Sequence, residues 1–499
     1  MKKLLSLVLA LAMLLSVGCF AETEEAPFEL TVLLPDFYTT EEFMVEGNPV
    51  LEAIEKATGV RLKITWAANS EYGTTISTTL ADANTMPMVM ALTDARGSVV
   101  IDSARAGAFW ELTDFVKDAE NYPYLAAGSE GVYNNISIDG KIFGVYRSRA
   151  YPRAGIYYRK DIAAKMGIEE VPQTLEDLTE LAEALAQYSD DTYALNMCSY
   201  TAGTINLITV AFGAPQTWGI NEEGNIYPAH ESPAYLEGLN WLRHLYEIGG
   251  IDPDFITIDS TNWDNIERTG KAFMRFDCLD NAYRQQEWFE KNEGVTEQIF
   301  EMIGGLEKAD GTISVWPQNA GFSGEIVVTK QVSEEDLPKV MKFLDWVNGP
   351  EGQMLINWGI QDKTYWIDED GYRLSSPTSG EDLTSQIHVI QHSLNQLGMN
   401  VPGDLCVPMK LTELRAKYNA INAEYAQYAV SDPCYPFISE TNVAFGSVLS
   451  TIISDAAVQY IAHQIDEDGL RAAWAQWSAE GGEQMTQEYN EAYHASLAD

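Results

Sequence analysis

The stretch "IYYRKDIAAKMGIEEVPQTLEDL", residues 156–178, places a strand and two helices in quick succession and so decides the fold class. Residues 156–158 are aromatic or β-branched, which is typical of a strand. Asp161 is a good N-cap residue for a short helix, and Gly167 supplies the left-handed conformation that ends such a helix. The first half of the stretch therefore predicts a strand that runs directly into a short helix.

The second half of the stretch predicts a longer, capped helix. Pro172 prevents the first helix from continuing, and Thr174 with Asp177 three residues later forms a capping pair. Apolar residues then recur at helical spacing, at Leu175, Leu178, Leu181, Ala182 and Leu185. This local order is α/β scaffolding, and it carries no chemistry of its own.

The same alternation continues along the chain. Aliphatic runs typical of a sheet covered on both faces occur at "ELTVLLPD", "RLKITWA", "PMVMALT" and "IFGVY", with helical patterns between them. Alternation restarts at "TISVWPQNAGFSGEIVVTK", and the chain is mainly helical from about residue 382 to residue 493. Three Gly-containing turns, "SIDGKIFGV", "INEEGNIYP" and "WIDEDGYRL", predict β-hairpins. The fold class is α/β with a largely buried sheet.

The N-terminus has the pattern of an export signal. Residues 1–21 combine a basic start, an apolar run from Leu4 to Leu15 and small residues after it, too short for a spanning helix. Cys19 is a candidate for lipid attachment, and "CFA" alternatively satisfies the small-x-small rule for ordinary secretion. The mature protein is therefore expected outside the cell, either lipid-anchored on the outer face of the membrane or secreted.

Length and charge limit the function classes. A chain of 499 residues is too long for one ordinary core and predicts two large lobes. The formal net charge of −43 predicts repulsion from nucleic acid, so no nucleic-acid partner is expected. No later stretch has about 18 uninterrupted apolar residues, which predicts a soluble mature chain.

The cysteines do not form a metal or redox motif. Beyond the signal they are Cys198, Cys278, Cys406 and Cys434, with no C-x-x-C spacing. Cys406 and Cys434 both lie beside prolines and could pair, and the alternative is that all four are free thiols.

The motifs of common enzymes and metal sites are missing. No nucleophile elbow, phosphate-binding loop or dinucleotide fingerprint occurs in a strand-to-helix context. His388 and His392 have zincin spacing, but Val389 stands where the catalytic Glu is needed. Asp368 could begin a calcium loop, but Ser379 occupies the twelfth position, where an acid is required. We expect no enzyme activity, no metal and no cofactor, although two distant carboxylates could still meet as a glycosidase pair.

Several phrases together resemble the extracellular solute-binding proteins that serve ABC transporters, especially the lipoprotein-type sugar-binding branch. They are "EAIEKATGVRLKI", "YYRKDIAAKMGIEEVPQTLEDLTELAEAL", "FGAPQTWGINEEGNIYP", "LNWLRHLYEIGGIDPDF", "MKFLDWVNGPEGQMLINWGIQDKTYWIDEDG" and "YIAHQIDEDGLRAAWAQWSAEGGEQMTQEYNEAY". The similarity runs almost from end to end, in a consistent order. It implies a two-lobed periplasmic-binding-protein-like fold of type II, with crossovers between the lobes and a helical C-terminal segment.

The resemblance also implies domain boundaries and a function. Residues 28–147 and 322–365 are expected in lobe one, and residues 153–315 and 372–499 in lobe two. A monomeric protein of this kind captures a carbohydrate, expected to be an oligosaccharide, and delivers it to ABC transporter permease subunits. The alternatives are a binding protein for peptides or other small solutes, and a secreted carbohydrate-active enzyme.

Seven residues are candidate ligand contacts. The resemblance to maltodextrin-binding proteins places Asp94 and Arg96 in a loop that presents an acid and an arginine to sugar hydroxyls; the alternative is a surface ion pair. It also places Asp277 at a strand end where relatives contact ligand; the alternative is a helix cap. Aromatic side chains in loops expected to face the cleft complete the set, with core packing as the alternative for each: Trp66, Tyr72, Tyr146 and Trp218.

Overall charge favours a neutral or weakly charged oligosaccharide, bound mainly by aromatic stacking. An anionic sugar would need arginines to offset the negative protein, and Arg96, Arg147 and Arg149 are the candidates for that role.

Overall fold

A computed structural model describes residues 26–36, 47–82, 84–149, 153–308, 311–314, 317, 320–375, 394–399 and 406–498. The signal segment with Cys19, together with His388, Val389, His392 and Ser379, lies outside these ranges.

The first half of the chain builds one mixed sheet and its covering helices. The strands and helices before the first crossover are β1 (Phe28–Asp36), α1 (Pro49–Thr58), β2 (Val60–Ala68), α2 (Tyr72–Ala81), β3 (Val89–Leu92), α3 (Ser98–Arg105), α4 (Thr113–Lys117), α5 (Pro123–Ala126), α6 (Glu130–Ile136) and β4 (Gly144–Ser148). A strand from later in the chain, β13 (Phe322–Val328), completes the sheet in the order β2-β1-β3-β13-β4. We call this sheet and its helices lobe one.

The middle of the chain builds a second sheet. Its elements are β5 (Ala154–Arg159), α7 (Lys160–Lys165), α8 (Leu175–Ala186), β6 (Tyr193–Leu195), α9 (Thr201–Ala211), β7 (Trp218–Ile220), β8 (Ile226–Pro228), α10 (Pro233–Glu247), α11 (Trp263–Arg268), β9 (Ala272–Cys278), α12 (Asn281–Glu293) and β10 (Phe300–Ile303). The sheet order is β10-β5-β9-β6. We call this second unit lobe two.

The rest of the chain is mostly helical. Two short strands, β11 (Leu306–Glu307) and β12 (Ile313–Ser314), precede β13, and they are followed by α13 (Leu337–Val347), α14 (Pro350–Trp358), β14 (Tyr365–Ile367), β15 (Arg373–Ser375), α15 (Glu413–Tyr425), α16 (Glu440–Ile461), α17 (Glu467–Trp477) and α18 (Glu483–Ser496). The α/β class predicted from the alternation of strands and helices is confirmed.

Local sequence signals in the opening stretch mostly have their predicted structure. The Thr174 hydroxyl accepts from the Asp177 amide at 3.0 Å and the Asp177 carboxylate accepts from the Thr174 amide, so the capping box is present. Gly167 is left-handed, with φ of 87°. Asp161 is not a cap: its carboxylate instead accepts from the Arg159 guanidinium at 2.7 and 2.8 Å, inside the first turn of α7.

Each lobe has its own hydrophobic core. Lobe one packs around β1, β3 and β13, with residues such as Val32, Val89 and Ile326 fully buried. Lobe two packs around β5, β6 and β9 and extends onto the C-terminal helices, for example to Ala457 on α16.

Residues 394–399 pack in a different lobe from the one expected. Leu394, Leu397 and Met399 are fully buried in the core of lobe one, although residues 372–499 were expected in lobe two. The Ser148 amide also donates to the Met399 carbonyl at 2.7 Å. Sequence could not indicate this return because the segment is short and its apolar residues fit either core.

The described residues include the four cysteines beyond the signal and the three predicted hairpin turns. All four cysteines, Cys198, Cys278, Cys406 and Cys434, are free thiols, so the pairing of Cys406 with Cys434 is wrong. The β7–β8 and β14–β15 hairpins form as predicted, and Ile138 pairs with Lys141 in the third turn. Within the described residues, no group of three or more potential metal ligands is present.

Helix α16 stands out for its composition. Among the described helices, it alone is long and apolar enough to cross a membrane, a property that core helices of globular proteins share. Only 17% of its most apolar segment is buried, and Phe445 and Val448 are each 55% exposed. This exposed apolar surface lies beside a cavity that other residues of α16 help to line.

Candidate functional site

Strand directions determine where the two lobes can share a ligand. Strands β1, β2 and β3 are parallel, and β4 runs in the same direction because both β3 and β4 are antiparallel to β13. The chain therefore leaves lobe one at the carboxyl end of β4 and enters lobe two at the start of β5. Ala154 on β5 pairs with Cys278 on β9, so the carboxyl end of β9 lies at the same place. We call this meeting of β4, β5 and β9 the crossing edge.

The loop after β3 holds Asp94 and Arg96 at the carboxyl edge of lobe one. Asp94 is exposed, and its carboxylate accepts from the Arg96 amide at 3.0 Å. A Cβ at Gly97 would stand 2.6 Å from the Asp94 carboxylate, so a larger residue there would displace this side chain. The Arg96 guanidinium instead donates to the carbonyl oxygens of Ser137 and Phe437. Among the ion pairs of the described residues, none joins Asp94 to Arg96. Arg96 therefore anchors the loop through backbone carbonyls, and the Asp94 side chain faces solvent.

A buried carboxyl group lies close to this loop. Glu325 on β13 is 1% exposed, and neither of its carboxylate oxygens has a hydrogen-bond partner in the described part of the chain. Burial raises the pKa of Glu325 to about 8; Arg96 lowers this pKa and Asp94 raises it. Gly144 on the neighbouring strand makes room, since a Cβ there would come within 2.2 Å of the Glu325 carboxylate. Sequence analysis missed Glu325, although an acid inside the otherwise aliphatic run "GEIVV" was a usable signal.

Three of the aromatic candidates are core residues of lobe one. Tyr72 is 1% exposed and its hydroxyl contacts the carbonyl oxygens of Leu33 and Ala91 at 3.1 and 2.8 Å. Tyr146 is 5% exposed, and its hydroxyl accepts from the Ser129 amide at 2.7 Å. Trp66 lies on β2 and is 9% exposed. All three side chains are buried in the hydrophobic clusters of lobe one.

The carboxyl edge of lobe two carries Asp277 and Tyr200. One Asp277 oxygen accepts from Arg275 at 2.8 Å and from Asn281 at 2.7 Å, so Asp277 is held in place and does not cap α12. Tyr200, just before α9, is 55% exposed. Its ring stands edge-on to Trp263, with 6.3 Å between centroids, which fixes the ring. Sequence analysis missed Tyr200 because nothing local separates it from other tyrosines.

A cavity of about 370 Å³ opens beside Tyr200, between α9, α16 and the β7–β8 hairpin. Its lining combines aromatic rings with small, neutral polar groups: Tyr200, Ala202, Gly203, Ile205, Asn206, Thr217, Trp218, Pro228, Ala229, His230, Tyr235, Asn442, Gly446, Leu449, Ser450, Ile453, Ser454, Ala457, Trp477 and Met485. The described residues of this lining include no Asp, Glu, Lys or Arg, in a protein with a net charge of −43.

The aromatic floor of the cavity is tightly packed. Trp218 is 6% exposed, and its ring lies 5.0 Å from Tyr489 and 6.2 Å from Trp477, measured between centroids. The His230 ring meets Trp477 edge-on at 4.5 Å, and burial lowers the pKa of His230 to about 4. His230 is therefore neutral at physiological pH. The predicted cleft tryptophan, Trp218, belongs to the packed floor of a cavity.

Thr217 carries backbone strain at the cavity wall. Its φ is 54°, in the left-handed region that β-branched residues avoid. The Ala229 amide donates to the Thr217 carbonyl at 2.7 Å and holds this conformation. Strained residues of this kind are concentrated at binding sites.

The comparison with known proteins identifies the family. A family model described as bacterial extracellular solute-binding protein matches residues 50–360. The chain belongs to this family. Lipoprotein LipO of Bacillus subtilis (strain 168) is 30% identical over 464 residues, which cover 90% of each chain.

Two further relatives extend the comparison. The polygalacturonan/rhamnogalacturonan-binding protein YtcQ of Bacillus subtilis (strain 168) is 26% identical to this solute-binding protein, over 89% of this chain and 87% of that one. The N-glycan transport solute-binding protein NgtS of Streptococcus pneumoniae has a TM-score of 0.68 and 16% identity, with 95% of this chain and 100% of that chain covered. The two-lobed fold and the predicted family are confirmed, and the family is an exported one.

Proposed function

We propose that this solute-binding protein captures an oligosaccharide between its two lobes and delivers it to the permease of an ABC importer. The observation that carries the choice of an oligosaccharide is the uncharged, aromatic-floored cavity beside the carboxyl edge of lobe two. Its volume of about 370 Å³ suits a short oligosaccharide segment, since small-molecule sites typically measure ~300–1,000 Å³.

The chemistry of the lining matches a sugar. Sugars present apolar C–H faces surrounded by hydroxyl groups, and such a ligand needs flat side chains together with a few neutral hydrogen-bonding groups. Tyr200 supplies an exposed ring at the mouth, while Asn206, Asn442 and Ser450 supply the neutral polar groups. The names of YtcQ and NgtS, which describe a polysaccharide-binding and a glycan-transport protein, support the same class.

The position of the polar groups supports ligand binding that is coupled to closure of the two lobes. Asp94 is exposed at the edge of lobe one, and Asp277 is fixed at the edge of lobe two. A ligand that contacts both lobes stabilises a closed form relative to an open one, and so shifts the equilibrium between them. The permease would then recognise the closed form.

The cellular setting is part of the proposal. Export is consistent with the family, and lipid attachment at Cys19 would hold the protein at the membrane surface near its permease. The protein is proposed to act as a monomer, because one chain supplies both lobes and the cavity.

A binding screen tests the function. The mature protein is screened by thermal shift against neutral oligosaccharides, uronate oligosaccharides and peptides, and the hits are measured by calorimetry. We expect one-to-one binding of an oligosaccharide, recovered intact by mass spectrometry after prolonged incubation. Binding of peptides alone, or recovery of cleaved sugar, would overturn the proposal.

A further inference from the structure

Two arginines without an acidic partner lie at the crossing edge. Arg147 is on β4, and Arg149 is the first residue after this strand. Because side chains alternate along an extended chain, two residues that are two positions apart point to the same side. Arg147 is 9% exposed, and its Nη1 donates to the Ser323 carbonyl and hydroxyl, at 3.3 and 3.4 Å. Among the described residues, the buried Nε of Arg147 has no hydrogen-bond partner. Arg149 is half-buried, and no carboxylate lies within ion-pair distance of either side chain in the described part of the chain.

Arg147 and Arg149 belong to the minority of arginines that have no ion pair among the described residues. Asp and Glu number 74 against 31 Lys and Arg, so most cations can find an acid. Most arginines do, including Arg61 with Glu55 at 2.8 Å and Arg159 with Asp161 at 2.7 Å. A buried charge without a partner is costly, so the missing counter-charge must come from elsewhere or the cost must be tolerated.

The surroundings of the pair are positively charged. Burial lowers the pKa of Arg149 most, Arg153 and Arg284 lower it further, and Cys278 and Asp280 raise it, so Asp280 lies near these guanidinium groups without an ion pair to Arg149. Asp280 is shared by Arg153 at 3.1 Å and Arg284 at 2.7 Å, and two cations therefore already offset its charge. The pKa of Arg147 is lowered to about 10, which leaves it charged at physiological pH.

The backbone of β13 is irregular opposite Arg147. The β4–β13 register shifts between Phe322 and Glu325, which marks a bulge at Ser323 and Gly324. Gly324 has φ of 97°, and a Cβ there would come within 2.1 Å of the Leu92 carbonyl oxygen. Bulges of this kind commonly redirect side chains next to binding sites, and this one brings Ser323 to Arg147.

We propose that Arg147 and Arg149 bind an anionic group of the ligand, a carboxylate of an acidic sugar, at the crossing edge. The inference rests on the proposed function and names the substrate class as an acidic oligosaccharide. Arginine forks match the planar geometry of a carboxylate, and the ligand's carboxylate would supply the counter-charge that the described residues do not give to these two side chains. The net charge of −43 favours a neutral sugar, but salt screens the acids of the surface beyond about 10 Å, so the nearby arginines outweigh that expectation at this edge.

A ligand pair that differs only in charge tests the proposal. Calorimetry compares trigalacturonate with its methyl ester, which has the same skeleton without the carboxylates, on wild type, Arg149→Gln and Arg61→Gln. Arg61 is the control because its guanidinium pairs with Glu55 at the start of β2. We expect the acid to bind wild type at least ~10-fold more tightly than the ester, from charge-assisted hydrogen bonds. Arg149→Gln should weaken the acid ~10- to 100-fold and the ester little.

The outcomes separate this proposal from the proposed function. Equal binding of acid and ester, or equal loss of both in Arg149→Gln, overturns the anion subsite and leaves oligosaccharide capture intact. If no oligosaccharide binds, the proposed function fails, and thermal shifts with galacturonate, sulfate and inorganic phosphate then decide the subsite alone. Stabilisation of wild type but not Arg149→Gln by galacturonate supports it; stabilisation only by sulfate or phosphate, or none at all, overturns it.

Discussion

The carboxyl edge of lobe one and the cavity of lobe two use opposite chemistry. The first holds Asp94, Arg96, Glu325 and the Arg147–Arg149 pair within a few strands, whereas the second contains no charged side chain among its lining residues. Charged groups supply orientation and selectivity, and an uncharged aromatic surface supplies contact area. If a ligand contacts both regions, as proposed, it is fully recognised only when both lobes contact it, and binding is then coupled to closure.

The largest expected effect comes from removing the aromatic floor. Trp218→Ala leaves a large void against Trp477 and Tyr489, and it should destabilise the protein by about 3–5 kcal/mol and abolish oligosaccharide binding. Urea unfolding and calorimetry measure the two effects.

The matched control for the floor is Trp110→Ala in lobe one. Trp110 packs against the lobe-one core, and its Nε1 donates to the Val332 carbonyl at 3.0 Å. We expect lower stability with unchanged affinity in the protein that remains folded. Equal loss of affinity in both variants would remove the distinction between the two regions.

The buried carboxyl group of lobe one should make stability depend on pH. The pKa of Glu325 is about 8 in the folded protein against 4.5 for an exposed glutamate, so between these values the folded state keeps a proton that the unfolded state releases. The stabilisation that comes from this raised pKa is fully present below pH ~4.5 and is lost as the pH rises through 8. Glu325→Gln should therefore raise the free energy of unfolding at pH 9, relative to wild type, by on the order of a few kcal/mol.

Denaturant unfolding from pH 5 to pH 9 measures this effect, with the exposed Glu222→Gln as control. Glu325→Gln should flatten the decline of stability above pH 6, and Glu222→Gln should reproduce wild type. A parallel decline in all three proteins would show that Glu325 is ionised in the folded state.

The exposed ring at the cavity mouth should affect binding alone. Tyr200→Ala removes a side chain that is 55% exposed, so stability should change by less than about 0.5 kcal/mol. Loss of one stacking contact should weaken oligosaccharide binding by about 2- to 10-fold. Tyr428→Ala, a tyrosine that is 44% exposed and does not line the cavity, is the control and should bind like wild type.

The smallest effect is expected at the loop of lobe one. Asp94→Asn keeps an oxygen that can accept from the Arg96 amide, so the loop and its stability should be unchanged. Loss of one charged acceptor for sugar hydroxyls should weaken binding a few-fold. An affinity equal to that of wild type in calorimetry would exclude Asp94 from the ligand contacts.

Elements with local signals were predictable from sequence. The capping box of Thr174 and Asp177 and the left-handed Gly167 need only residues within one turn of the helix, and both form as predicted. Asp161 failed as a cap because a neighbouring guanidinium, Arg159, competes for its carboxylate. A short-range pattern is thus reliable when no other charged group is within reach.

The site was less predictable, because sequence does not show in which direction an aromatic side chain points. Tyr72 and Tyr146 lie next to the expected loops, yet their hydroxyls bind backbone groups inside lobe one. Tyr200 and Glu325 acquire their environments from elements distant along the chain. The Arg147–Arg149 pair was visible in sequence, but its lack of an acidic partner is visible only in three dimensions.

A crystal structure of the protein with a bound acidic oligosaccharide tests the central claim most directly. The account predicts one sugar ring within about 4 Å of the Tyr200 ring at the cavity mouth, and a carboxylate about 2.8 Å from the Arg149 guanidinium. Both contacts should occur in one molecule of ligand that touches both lobes. A ligand seated away from the cavity, or confined to a single lobe, would contradict the account.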